Sequence, residues 1–163
     1  MDFAGLAPLL DALAASAPAA WLRQSGTAYL VVNALHITVL GLGVGAAVLL
    51  DLRLWGAIGR RIPLALLGPF LSRAAAAGIA LALATGLWLF ATRPADYLAN
   101  PAFLAKVVVI GLALLNALAL HAGGHWARAL REGQAGGWVR MQAAVSLALW
   151  LGAVLAGRWI GFL

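Results

Sequence analysis

Residues 27–50 read TAYLVVNALHITVLGLGVGAAVLL, without one Asp, Glu, Lys or Arg. As a helix rising 1.5 Å per residue this stretch is about 36 Å long, enough to cross a hydrocarbon core of about 30 Å. Three further stretches nearly free of charge read the same way, at residues 74–90, 103–120 and 142–162. The expectation is an all-α, four-span antiparallel transmembrane helix bundle. It forms one integral membrane domain over residues 1–163, since no connection is long enough to hold a second.

Composition agrees. Of the 163 residues, 64% are hydrophobic and 10% charged, where a soluble domain has roughly 45–50% and about 25%. A soluble globule of this size has no interior large enough to hide that much apolar surface. The net charge of +6 does not point to nucleic acid, because the basic residues sit mainly in short connections between apolar stretches. Arg53, Arg60, Arg61, Arg73, Arg128, Arg131 and Arg140 fall at one end of the spans; Arg23, Arg93, Lys106 and Arg158 fall at the other. Short cytoplasmic loops collect Lys and Arg, so both termini are expected in the periplasm, with the chain in a bacterial inner membrane. The absence of cysteine excludes a disulfide framework, a thiolate metal site and a cysteine nucleophile.

Ahead of the first span, Leu6, Leu9, Leu10 and Leu13 recur at helical spacing, with Pro8 in the first turn and Pro18 at the end of the pattern. This predicts an amphipathic helix over about 3–17, ended by Pro18, lying on the membrane surface or lidding the bundle. Asp2 and Asp11 precede the first basic residue, Arg23, so no cleaved secretory signal is expected. Small residues recur within the spans, as Ala34, Thr38, Gly41 and Gly45; as Ala74, Gly78, Ala82 and Thr85; and as Ala148, Gly152 and Ala156. Such rows let helix backbones meet, within one protomer, in a homodimer or in a larger complex. Trp55, Trp88, Trp126, Trp138 and Trp159 fall near span ends, as interfacial aromatics do.

Polar side chains at membrane depth are costly, so each is a functional candidate. Tyr29, Asn33 and His36 share a face of the first span. Gly43 and Ala47 lie further along the same face and could leave a flat slot beside the imidazole, suited to a planar macrocycle. Equally, Asn33 and His36 could simply hydrogen-bond neighbouring helices. The third span carries Lys106, Asn116 and His121. His36 and His121 differ by roughly 14 Å or more in depth, too far for both to ligate one haem iron. The stem of Lys106 can snorkel towards His36, making His36 and Lys106 the better pair. The string HAGGH, His121 to His125, has the i, i+4 spacing of two metal ligands, but its glycines should end the helix between them. Asp51 and Arg53 read as an interfacial ion pair fixing helix ends, with Arg73 beside them, or as an anion or propionate site. Copper conduction prefers soft ligands, and the only methionines are Met1 and Met141.

The strings NALHITVLGLGVGAAVLLDLRLWG (33–56), TGLWLF (85–90) and NPAFLAKVVVIGLALLNALALH (100–121) resemble an uncharacterised bacterial family of small four-helix integral membrane proteins. DLRLWG and NPAFLAK are the most specific parts. More distantly, a histidine in the first span and a lysine opening a later one are similar to the copper-resistance D membrane family and to HemJ-type protoporphyrinogen oxidases. The latter resemblance implies a b-type haem and functional roles for His36 and Lys106 alone. The leading expectation is therefore binding of haem b or a related porphyrin in the outer half of the bundle, for membrane electron transfer or haem handling. His36 would be the axial metal ligand and Lys106 a second ligand or propionate partner. Asn33 and Asn116 would support them, with Gly43 bordering the slot. The competing expectations are a cofactor-free structural or anchoring subunit of a larger membrane complex and, third, copper or other ion transport.

Overall fold

The computed structural model describes residues 4–162. Eight helices follow in order: α1 Ala7–Ala15, α2 Ala17–Gln24, α3 Gly26–Trp55, α4 Leu64–Thr92, α5 Pro94–Ala99, α6 Pro101–Ala122, α7 Gly124–Glu132 and α8 Gly137–Trp159. Four of them, α3, α4, α6 and α8, are long and apolar enough to cross a membrane, as expected of an all-α four-span bundle. The spanning helices alternate in direction, so α2 and the end of α8 lie at one end of the bundle, here the terminal end, and Arg53, Arg60, Arg61, Arg73, Arg128, Arg131 and Arg140 lie towards the other.

The helices outrun the apolar stretches because hydropathy and helix termination are separate properties. The reading of 27–50 stops at Asp51, yet α3 continues to Trp55. What ends it is Gly56 at φ +87°, whose N–H donates to the Leu52 and Arg53 carbonyls at 3.1 Å each, while Ala57 N–H also donates to Leu52. That is a left-handed glycine cap, and it is what the string DLRLWG encodes. The string NPAFLAK encodes a start. Asn100 Oδ1 accepts from Ala102 N–H at 2.9 Å and Phe103 N–H at 3.2 Å, and Pro101 opens α6 where no N–H donor is needed. Asn100 Nδ2 also donates to Ile160 O at 3.3 Å, tying the start of α6 to the end of α8.

The N-terminal segment departs from the single helix expected over 3–17; residue 3, like Asp2, lies outside the described residues. α1 ends before Ser16, whose ψ of 144° turns the chain and whose hydroxyl donates to Leu13 O at 2.7 Å. Pro18 does not stop a helix; it sits in the first turn of α2, where its fixed φ favours initiation. α2 is the docked piece, with Ala19 and Leu22 buried, Trp21 stacked on Trp88 at 5.9 Å, and Trp88 Nε1 donating to Pro18 O at 3.0 Å. Leu9 and Leu13 of α1 stay exposed, as an amphipathic helix lying in a membrane interface requires.

The backbones of α3 and α4 come into close contact. An added Cβ on Gly43 would come within 2.8 Å of the Gly78 and Ile79 backbone, and one on Gly78 would lie 2.5 Å from Gly43 Cα. Two glycines thus bring the backbones together, and the row containing Gly78, Ala82 and Thr85 is buried as expected. The row Ala34, Thr38, Gly41, Gly45 is not an internal contact: nothing lies within 4 Å of a Cβ on Gly41 or Gly45. The inward face of α3 is the neighbouring one, through Val39, Gly43, Ala46, Ala47 and Leu50. The third row is split, with Ala148 exposed and Gly152 meeting Val109 of α6.

α3 packs on α4 and α8, and α6 packs on α8; among the described residues no Cα of α6 lies within 8 Å of α3 or α4. The seam between α4 and α6 is bridged by side chains near its two ends. Phe90 stacks on Phe103 at 5.4 Å near the terminal end, and Ser72 Oγ meets His121 Nε2 at 2.8 Å near the other. In the apolar window of α6 only 11% of residues are buried, against 39% in α3 and α4, so α6 is the least enclosed of the four spanning helices.

Candidate functional site at the terminal half of the bundle

His36 points from α3 towards α4. Its Nδ1 lies 2.9 Å from Thr85 Oγ1, and that hydroxyl spends its own proton on Leu81 O at 2.8 Å. With that proton on Leu81 O, Thr85 Oγ1 accepts from an Nδ1–H tautomer of His36, the form that presents the Nε2 lone pair. The ring fits because position 86 is glycine: a Cβ there would lie 3.0 Å from His36 Cε1. Lys106 extends from α6 along α8, its Cε and Nζ each 3.4 Å from where a Cβ on Gly157 would be. His36, Thr85 and Gly86 thus meet between α3 and α4, and Lys106 and Gly157 meet between α6 and α8. Asn33, half-buried, lies one turn nearer the terminal end on the His36 face.

Two of the expected site residues lie elsewhere. Gly43 borders no slot, because the space its missing side chain leaves is filled by the α4 backbone at Gly78 and Ile79. Asn116 does not support His36. Its amide donates to Gln142 O at 3.0 Å, in the first turns of α8 towards the arginine-rich end, where it pins α6 to α8. A hydropathy reading shows that an amide is buried, not which neighbour takes its hydrogen bond.

The remaining polar motifs resolve into structure. α6 ends at Ala122 and α7 starts at Gly124, so His121 and His125 stand on different helices. Both ring nitrogens of His121 are engaged, Nε2 with Ser72 Oγ and Nδ1 with Ala117 O at 2.7 Å. Asp51 and Arg53 do not pair; two residues apart on a helix, they diverge. Asp51 is buried facing Ser146 of α8, with Oδ2 unpartnered. Arg53 Nη2 donates to Ile62 O at 3.1 Å in the following connection, and its side chain packs on Gly59.

Above His36, at the terminal end, a cavity of about 500 Å³ opens between the helix ends, lined by Arg23, Tyr29, Arg93, Asp96, Tyr97 and Asn100 among others. Arg23 Nη1 donates to Ala14 O at 2.8 Å and Thr92 O at 3.2 Å, clasping α1 to α4. The Tyr97 hydroxyl is pushed up to about 12 by burial first and by the neighbouring Tyr29 hydroxyl next, so it stays a neutral phenol at ordinary pH. Sequence reading found Tyr29 but not this cavity, because its walls come from chain positions 22 to 160 and meet only through packing.

Compared with known protein families, curated proteins and solved structures, the chain matches none.

Proposed function

We propose that this multi-pass membrane protein binds a b-type haem or related porphyrin in the terminal half of its bundle, for membrane electron transfer or haem handling. The observation that carries the reading is His36. Its Nδ1 lies 2.9 Å from Thr85 Oγ1, a hydroxyl that also reaches Leu81 O, so an Nδ1–H tautomer is supported there and Nε2 would serve as the metal ligand. Lys106 serves as a second ligand or as the counter-charge of a propionate, and Asn33 adds a polar contact above the ring. Gly43 has no part in the site. A flat macrocycle would instead have to enter the seam where α6 stands off from α3 and α4. When bound, haem supplies one-electron chemistry; the chain supplies the ligand, its orientation and a dry, apolar surround. With seven of the eleven basic residues towards the far end of the bundle, the terminal end faces the periplasm of a bacterial inner membrane.

A reduced-minus-oxidised visible spectrum of the purified protein tests the reading, which predicts Soret and α bands. Lys106→Met is expected to shift those bands if the amine ligates iron, and to weaken haem retention without a shift if it pairs with a propionate. Protein isolated without haem from haem-replete cells, and unable to take it up afterwards, refutes the proposal. The account that then stands is a cofactor-free structural or anchoring subunit. Its supporting observation is the open row Ala34, Thr38, Gly41, Gly45, against which a helix of a second copy or of another subunit can pack.

A further inference from the structure

We propose that the cavity at the terminal end is a binding site for the anionic phosphate headgroup of a phospholipid in the adjoining leaflet. Its polar wall carries two guanidiniums, Arg23 and Arg93, against one carboxylate, Asp96, so the cavity is net positive. The Arg23 guanidinium is already immobilised by its two carbonyl acceptors through Nη1. Its other nitrogens are therefore presented at a fixed position, with little further side-chain entropy to lose on binding. Tyr29 and Tyr97 bring hydroxyls to the same wall, and Tyr97 remains a neutral phenol, able to donate to a phosphate oxygen.

Depth selects a lipid over a soluble anion. The cavity sits where the spans end: Gly26 opens α3, Thr92 closes α4 and Ile160 follows α8, and all three line it. Leu22 and Ile160 give it an apolar side, and the stacked Trp21 and Trp88 beside α2 mark the headgroup layer, where such rings settle. A ligand that is anionic at one end and apolar at the other matches that wall; inorganic phosphate matches only half of it. His36 and Lys106 do not line the cavity, so this inference stands or falls apart from the haem reading.

The test is thermal unfolding of the detergent-solubilised protein, titrated separately with phosphatidylglycerol, phosphatidylcholine and inorganic phosphate. Phosphatidylglycerol is expected to raise the midpoint saturably, and to bind about tenfold or more tightly than in Arg93→Gln, the loss that follows removal of one charge-assisted contact. Arg93 is exposed, so Arg93→Gln should fold; Arg93→Lys should recover part of the affinity, and Tyr29→Phe should lose a smaller share. Equal stabilisation by phosphatidylcholine, equal stabilisation by inorganic phosphate, or an unchanged phosphatidylglycerol response in Arg93→Gln each overturns the proposal.

Discussion

Gly41 and Gly43 show how much one residue's position can decide. Both are glycines in one apolar helix, two positions apart, yet only Gly43 has a backbone against it. A Cβ on Gly43 or Gly78 would sit under 3 Å from backbone atoms of the facing helix, which cannot move aside as a side-chain end can. Gly43→Ala or Gly78→Ala should therefore cost about 1–3 kcal/mol of bundle stability. Gly41→Leu should leave protomer stability within about 0.5 kcal/mol of wild type. Thermal unfolding in detergent measures all three. A loss for Gly41→Leu as large as for Gly78→Ala would mean that the α3 face has been assigned wrongly, unless size measurement shows that the variant has dissociated an oligomer. The sequence alone could not choose between the two glycines. Around a helix that is apolar on every side, hydropathy carries no phase, so a small-residue row can be found on a lipid-facing face as readily as on a packed one. His36 and Lys106 were legible for the opposite reason: charge and imidazole are rare at that depth, and rarity gives them away.

At the scale of elements, four helices were legible because a membrane demands long uncharged runs, and the chain contains four. Their ends were not, because caps rather than hydropathy set them. Asn100 illustrates this: one side chain caps α6 through Oδ1 and holds the end of α8 through Nδ2. Asn100→Ala should lower stability by about 1 kcal/mol through the cap alone. Asn100→Asp should keep the cap and lose only the tie to Ile160, so its unfolding midpoint is expected between alanine and wild type. Equal midpoints for all three proteins would show that neither bond matters. The break of the N-terminal segment at Ser16 was missed for a related reason. Pro18 reads as a stop when it follows an apolar repeat, but as a start when the turn comes two residues earlier. The cavity at the terminal end was out of reach altogether, since it is assembled from the ends of elements far apart in sequence.

For the whole molecule, the asymmetry of positive charge sets how the bundle sits in the bilayer. Reporter fusions after Arg61 or Arg131 are expected to behave as cytoplasmic and a C-terminal fusion as periplasmic. The reverse pattern in all three would invert the molecule and move the His36 level to the cytoplasmic side. The architecture gives the haem reading its place. α3 and α4 are in backbone contact at two glycines, α8 backs them, and α6 stands off from both, which leaves the seam where the proposal places haem beside His36. The most direct measurement is haem content and the Soret spectrum of wild type beside His36→Ala and His121→Ala, each purified from haem-replete cells. The account predicts haem in wild type, its loss or a strongly altered Soret band in His36→Ala, and near-wild-type haem in His121→Ala, whose ring is occupied by Ser72 and Ala117. Full haem content with an unchanged spectrum in His36→Ala would contradict it.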